Sequence, residues 1–539
     1  MSTSTGRGTV SGNEVLNQID QVIRKEFDSN RRILSFDEYL VLFGENPAKQ
    51  TRGSAKYLVD MMDHFGKSLV PQRGEGTATP SVKPGHTAAP HGIQRFKVFD
   101  FPIDGIAPKV VGQEWVQNQI YRALKAFARQ GLNNKLILLH GPNGSAKSSL
   151  IHALMGGLER YCREPDGAVY VFNWIFPIER YIRGGMGIQG NYTATKDNLT
   201  TYSKLSEEEI AARIPCEMKD HPLLLVPKEQ RRLFFEKLIG VDKTRELWES
   251  LPTYLKDGDP CHRCKQIFDA LLGTNGGDFR KVLMHIQVER LYYARRYRKG
   301  LVTIEPQLHV DAQYQQLTMN RSIGSLPNSL QGLNLFSLSG DLVDGNRGIT
   351  EYSDLLKRPV DSFKYLLSAC ETSSVNVGNS IAFLDTVMLG STNEVQLDAF
   401  KEFPDFISFK ARIQLIRVPY LLSVTEEQEV YSAQLSQMTG EKHTAPHVAW
   451  TVALWTVLTR LKKPNSINYP PNISTLISNL TPIEKARLYD TGDMPASLRP
   501  EERKLLRTSI KKLKEEYFNI PYYEGRIGAS PPGNESRPF

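Results

Sequence analysis

Cysteine is scarce in this sequence, with five residues in a chain of 539. A disulfide scaffold needs them dense and paired, so that class is excluded, and the count suits a reducing compartment. Long apolar runs are also missing. The most apolar helical stretch, HVAWTVALWTVLTRL (447–461), is too short to span a bilayer and reads as a buried helix. The start, MSTSTGRGTVSGNEVL, has no apolar core of signal-peptide length, so a cytoplasmic protein without a membrane span is expected. Charge is nearly balanced. A formal +8, from 67 basic and 59 acidic residues, permits contact with phosphates but does not argue for a nucleic-acid partner. The protein-kinase signatures HRD, DFG and VAIK are absent, and no internal repeat is visible. What is there, 40% hydrophobic and 23% charged residues, excludes a wholly disordered or collagen-like chain and suits about three or four folded domains.

Hydrophobic periodicity divides the chain. NEVLNQIDQVIRKEF (13–27) places Leu16, Ile19, Ile23 and Phe27 on one helical face. SFDE predicts a capping box, with Ser35 accepting from the Glu38 N–H and Glu38 reaching back. SAKYLVDMMDHFG (54–66) reads as a helix closed by Gly66. Residues 1–66 are therefore expected to form a helical module. Residues 67–93, rich in Pro, Gly, Ser and Thr, read as a flexible linker. From residue 94 helices alternate with short apolar strands: helix 110–131, strand KLILLH (135–140), helix 148–161, strand AVYVFNWIF (168–176). That order predicts an α/β fold, a parallel sheet with helices on both faces.

Between the 135–140 strand and its helix lies GPNGSAKSS (141–149). A phosphate-binding loop needs small residues that let backbone N–H groups turn inward, a lysine for the β/γ charge, a hydroxyl for Mg²⁺ and a helix N-terminus. Gly141, Pro142, Asn143, Gly144, Ser145, Ala146, Lys147, Ser148 and Ser149 supply such a loop, with Ser148 as the Mg²⁺ hydroxyl. One departure stands out: Ala146 precedes the lysine where glycine is usual. Alanine resists positive φ, so the loop is expected to hold that residue in an ordinary backbone region. The motif indicates a nucleoside triphosphate and leaves the reaction open.

SFDEYL, GPNGSAKSS, NRGITEYSDLLKRP (346–359), FKARIQLIRVPYLL (409–422) and YYEGRIGASP (522–531) together resemble the PrkA family, the bacterial serine protein kinase group built on an AAA+ ATPase domain. The resemblance runs over nearly the whole chain outside 67–93. It implies an AAA+ core at 94–422 with an insertion at about 177–330, a helical lid at 423–539, ATP with Mg²⁺, cytoplasmic placement and protein phosphorylation under stress. The AAA+ acid pair lands on Ser353 and Asp354, so the first acid is missing. Asp354 takes the water-polarising or Mg²⁺ role and Glu351 is the alternative, usable only if the strand end bends. Asn393 matches the polar sensor near the γ-phosphate. Arg412 matches an arginine finger acting on a neighbouring subunit, with Arg417 as the fallback, and a finger implies a homo-oligomer. Arg526 survives in the lid motif, but Pro532 stands where the sensor arginine is expected, so the lid reads as truncated. Two other readings compete with an ATPase and possible kinase: an ATP-driven remodeller feeding a protease or partner, and a nucleotide-dependent switch with weak hydrolysis.

Two further clusters carry chemistry. CHRC (261–264) with Cys216 and His221 could supply four ligands for Zn²⁺, namely Cys216, His221, Cys261 and Cys264; the alternative is buried reduced thiols. FRKVLMHIQVERLYYARRYRKG (279–300) reads as a helix with an apolar inner face and a basic outer one, which fits solvation better than nucleic-acid binding.

Overall fold

The computed structural model describes residues 33–70, 93–102, 109–178, 200–306, 313–316, 336–377, 380–440, 443–461 and 469–519, with Leu16, residues 19–21 and Ile467 besides. In chain order its strands are β1 (Ile33–Ser35), β2 (Lys67–Leu69), β3 (Gln94–Phe96), β4 (Leu136–His140) and β5 (Tyr170–Pro177). There follow β6 (Ile210–Pro215), β7 (Ile286–Arg290), β8 (Leu301–Ile304), β9 (Gln313–Gln316) and β10 (Phe336–Ser339). The last five are β11 (Ile349–Tyr352), β12 (Ser374–Val377), β13 (Ser380–Phe383), β14 (Val387–Thr392) and β15 (Ile413–Arg417).

The central sheet is five-stranded and parallel, in the order β15-β4-β14-β11-β8. Side chains of β4 alternate between two cores. Leu136 and Leu138 enter one, and Ile137 and Leu139 the other. Both faces are therefore buried, which is why the strand is apolar throughout. On the Ile137 side lie the helices Ser54–Phe65, Glu114–Gln130 and Lys147–Tyr161. On the Leu136 side lie helix Phe36–Glu45, several helices of the 228–274 region and a second, antiparallel sheet in the order β1-β7-β5-β6. Helices follow after Ser423, among them Val424–Thr439, Val448–Arg460 and Pro482–Asp490, which share a small core of Val424, Ala453, Val457 and Ala486.

Four expectations change. The 168–176 segment is a strand, but β5 joins the antiparallel sheet, because both flanks of β4 are taken by β14 and β15. An eight-residue apolar run buries equally well in either sheet, and Phe172, Trp174 and Phe176 fill the core against Leu136 and Leu138. The 279–300 segment is not one helix. It is a single turn, Phe279–Leu283, then β7, whose Ile286, Gln287 and Val288 are all buried. Helix Val448–Arg460 buries one face only, leaving Trp450 and Trp455 exposed. Helices 36–45 and 54–65 pack into the same two cores as the central sheet rather than into a core of their own. The Ser35–Glu38 capping box is present in both directions, and Gly66 ends its helix at φ 89°. Lys67–Leu69 and Gln94–Phe96, the ends of the expected linker, pair as an antiparallel ribbon; residues 71–92 and most of 13–27 lie outside the described residues.

The segment Asn346–Gly348, leading into β11, ties these parts together. Arg347 and Asp385 are both buried, with Nε 3.6 Å from Oδ2. Asp385 also accepts from the Ser54 N–H (3.0 Å) and hydroxyl (2.8 Å), which caps helix 54–65 from a distant part of the chain. Arg347 lies over the Tyr254 ring, and its carbonyl accepts from Tyr293 Oη at 2.6 Å. Asn346 Nδ2 donates to the Met218 carbonyl at 2.6 Å. Gly348 has no room for a side chain, since a Cβ would stand 1.9 Å from the Gly300 carbonyl oxygen. Removing one partner of a buried pair strands the other's charge. Arg347→Met should therefore lower unfolding stability by about 3 kcal/mol, with part recovered in the Arg347→Met/Asp385→Asn double variant. Urea unfolding followed by near-UV circular dichroism measures both, and a single-variant loss below about 1 kcal/mol would contradict the pairing.

Candidate functional site

In an open parallel sheet the carboxyl ends of the strands form the ligand-binding edge. At that edge β4 ends in His140 and residues 141–146 loop into helix Lys147–Tyr161. Val418, just past β15, donates its N–H to the His140 carbonyl at 2.8 Å, and a Cβ on Gly141 would lie 2.2 Å from the Val418 oxygen. Only glycine fits there. Gly144 takes φ 77°. Ala146 departs from the expectation of an ordinary backbone region: it is left-handed, at φ 69° and ψ 22°. The helix begins at the next residue, so the turn has to be made at 146 whatever side chain stands there, at a cost of about 1 kcal/mol. The Ser145 hydroxyl donates to the Pro142 carbonyl at 2.9 Å and is buried, whereas Asn143, Gly144 and Ser148 are exposed and Ser149 is half-buried.

Lys147 is buried, and its ammonium donates to the carbonyls of Gly141 (2.9 Å) and Pro142 (2.7 Å). Burial pulls its pKa down to about 8, against the opposing fields of Asp354 and Glu394. The lysine thus closes the loop on itself, with two carboxylates near enough to act on its charge.

Those carboxylates follow the neighbouring strands β11 and β14, and a third acid lies within β11. Glu351 sits within β11, in register with Leu389 and Thr303 on either side, so the strand does not bend there. It is buried, accepts from the Thr303 hydroxyl at 2.7 Å and lies 3.3 Å from His152 Nε2 on the Lys147–Tyr161 helix. Asp354 follows the strand in a left-handed turn at φ 44°, half-buried, with its N–H on Ser391 Oγ (3.1 Å) and its carboxylate 2.5 Å from Lys357 Nζ. Ser353 is half-buried between them. Asn393 follows β14 and caps helix Glu394–Lys401, its side-chain oxygen accepting from the Gln396 N–H at 2.9 Å, which leaves its amide nitrogen directed elsewhere. Glu394 lies between His140 Nδ1 (3.2 Å) and Arg417 Nε (3.1 Å). Burial works to raise its pKa, but the His140 hydrogen bond and the Arg417 charge outweigh that and hold the carboxyl below its usual range.

Arg412 stands apart from this group. Its carbonyl accepts from the Leu136 N–H at the start of β4, the opposite end of the sheet, and its guanidinium pairs with Glu371 at 2.5 Å. It cannot serve its own loop, whereas Arg417, paired in register with His140, lies at the loop edge. Arg526 lies outside the described residues.

The expected zinc set is corrected. His221 turns away: its Nε2 meets the Gln50 carbonyl at 2.7 Å, its Nδ1 accepts from the Leu223 N–H at 3.2 Å, and burial together with the Arg347 charge pushes the imidazole down to about 3. Asp220 takes its place beside Cys216, Cys261 and Cys264.

Sequence reasoning missed His140, His152, Thr303, Lys357, Asp220 and Glu394. Only Glu394 had a signal, as the residue following the sensor asparagine. The others are single polar residues brought in by tertiary packing.

A five-stranded parallel sheet with helices around it, a glycine-bearing loop at its carboxyl edge and acids on the adjacent strands defines a P-loop ATPase core of the AAA type. The PrkA AAA domain matches residues 190–468, just over half of the chain, and the chain belongs to that family. That span holds β11, β14 and β15 but not the 141–146 loop, which rests on its own geometry. A Bacillus subtilis (strain 168) protein named ATP-dependent protease PrkA is 23% identical over 403 residues, 74% of this chain and 52% of its own length. The Escherichia coli (strain K12) serine/threonine kinase YeaG is 28% identical over 160 residues, 29% of this chain and 24% of its own. The chain thus spans about half the length of the first and a quarter of the second. No solved structure matches. No helix among the described residues is long and apolar enough to cross a membrane.

Two outcomes follow. If the Lys147 ammonium holds a triphosphate it has to be charged to do so, and the free protein loses that proton as pH rises through about 8. ATP affinity, measured by fluorescence titration from pH 7 to 9.5, should weaken by up to about tenfold per pH unit above that point; a flat profile would contradict the role given to Lys147. Ala146→Gly should stabilise the protein by about 0.5–1 kcal/mol by relieving the left-handed turn, read as a raised unfolding midpoint, and a lowered midpoint would show that the turn is not strained.

Proposed function

We propose that this chain binds ATP with Mg²⁺ at the 141–149 loop and hydrolyses it. The observation that carries this reading is the convergence of Lys147, Asp354, Glu394 and Asn393 on one sheet edge, beneath the N-terminus of a fifteen-residue helix. The helix terminus and the loop N–H groups suit phosphate oxygens, and Lys147 would leave the Gly141 and Pro142 carbonyls for the β/γ charge. The residues present fit a magnesium ion: the exposed Ser148 hydroxyl and the Asp354 carboxylate would hold it, and it would neutralise charge on the phosphates. Glu351 is already engaged by Thr303 and His152, which favours Asp354 over it for contact with metal or water. Asn393 would orient the attacking oxygen with its amide. Arg412, remote from its own loop, would act on a neighbouring copy in an oligomer.

A second reading is transfer of the γ-phosphate to a protein serine or threonine. It is supported by the printed name of the Escherichia coli relative and by the partial exposure of Asp354, whose side chain is open to an incoming hydroxyl as well as to water. Labelled γ-phosphate separates the two. Inorganic phosphate released by wild type and lost in Lys147→Ala supports hydrolysis; label on protein, lost in the same variant, supports transfer. ATP bound tightly with neither product, at any protein concentration, would overturn both and leave a nucleotide-dependent switch. Arg412→Ala should abolish turnover, by about 10³-fold or more, without weakening ATP binding.

A further inference from the structure

Away from the nucleotide edge, four side chains meet where the loop after β6 faces the helix His262–Thr274. The ligand atoms of Cys216, Asp220, Cys261 and Cys264 all lie within 4.8 Å of one another. Cys261 is the N-cap of that helix and Cys264 sits in its first turn, so both sulfurs stand at the N-terminal end of a thirteen-residue helix. The sulfurs of Cys216 and Cys261 are 3.9 Å apart. Four ligands set tetrahedrally at the usual Zn–S distance are separated by about 3.8 Å, so the spacing is that of two ligands sharing a zinc ion. The surroundings already supply the donors such a site needs. The Asp220 N–H points at Cys216 Sγ (3.3 Å), Trp174 Nε1–H at Cys264 Sγ (3.4 Å), and the Cys261 N–H holds Asp220 Oδ2 at 2.8 Å.

We propose that Cys216, Asp220, Cys261 and Cys264 form a closed structural zinc site. Three thiolates and one carboxylate fill the four positions of the ion, leaving none for substrate, and binding releases the three thiol protons to solvent. The site would fasten the 216–221 loop, and that loop grips the approach to β11. Lys219 Nζ donates to the Val343 carbonyl at 2.6 Å, the Met218 carbonyl accepts from Asn346, and the Lys219 carbonyl accepts from Arg347. Glu217 of the same loop pairs with Arg263, beside Cys264, at 2.6 Å. A metal here would join the segment between β5 and β8 to the strand that carries Glu351 and leads to Asp354.

Elemental analysis of the full chain, purified without added metal or chelator, should find about one equivalent of zinc. Exchange for Co²⁺ should give a thiolate-to-metal charge-transfer band. Cys264→Ser should lose the metal; Asp220→Asn, which preserves size, should weaken binding by at least about 10–100-fold and serves as the test should the cysteine variant fail to fold. Cys162→Ser and Cys370→Ser, which alter buried thiols outside the cluster, should keep the full equivalent. His221→Asn should keep it too, and metal lost there but not in Asp220→Asn would overturn the ligand set. Zinc below about a fifth of an equivalent with no cobalt band after loading would overturn the site itself. So would a denatured thiol count of three instead of five, the mark of a Cys216–Cys261 disulfide.

Discussion

The buried pairing of Arg347 with Asp385 is the constraint on which the rest of the arrangement depends. Either charge alone would be costly in an apolar interior, so each residue has to be where the other is. Asp385 enters β14, and Arg347 enters β11. Their pairing, with the Arg347 N–H on the Asp385 carbonyl at 2.8 Å, fixes the register in which those two parallel strands begin. Register at the start decides position at the end. Four residues later β11 delivers Glu351, with the turn at Asp354 just past its end, and β14 delivers Ser391, with Asn393 and Glu394 just past its end. The Asp354 N–H on Ser391 Oγ is the same registration seen from the carboxyl edge. A left-handed arginine at φ 72° is tolerated because this network holds it.

The same node explains why the helix before the sheet and the long segment between β4 and β8 are not appendages. Asp385 caps helix 54–65, Tyr254 and Tyr293 flank Arg347, and Met218 and Lys219 hold Asn346 and Val343. The NRG triplet that marks the resemblance to the PrkA family therefore has a structural meaning. Asn346 and Arg347 collect three remote parts of the chain, and Gly348 lets β11 approach the Gly300 backbone.

Local signals carried much of the fold. Strand β4, its loop and its helix were legible because an apolar run, a glycine-rich turn and a helical period stand side by side. The Ser35–Glu38 capping box was legible because both of its bonds lie within four residues. What failed was non-local. AVYVFNWIF announces a buried strand but not its partner, and the flanks of β4 belong to strands some 250 residues downstream. FRKVLMHIQVERLYY misled because Val282, Ile286 and Leu291 match a helical spacing, while β7 uses consecutive buried positions between β1 and β5. His221 was read as a ligand because it shares the stretch IPCEMKDH with Cys216, yet its ring is spent on Gln50 and Leu223. Asp220, one residue earlier, points the other way.

Charge at the sheet edge gives the proposed chemistry its order. In the free protein Lys147 is satisfied by two loop carbonyls and by the fields of Asp354 and Glu394. A triphosphate entering the loop offers more negative charge than those carbonyls, so the ammonium has reason to move toward it. Asp354 would then lose part of a favourable partner while keeping Lys357 beside it, and a divalent cation brought by the phosphates would restore the balance. Glu394 would not be released in the same way, since His140 and Arg417 hold it from both sides. Glu351 is fixed as well, between Thr303 and His152. Of Glu351, Asp354 and Glu394, Asp354 is the one whose electrostatic surroundings would change most on nucleotide binding, which is the behaviour expected of a residue that would meet the metal or the attacking hydroxyl.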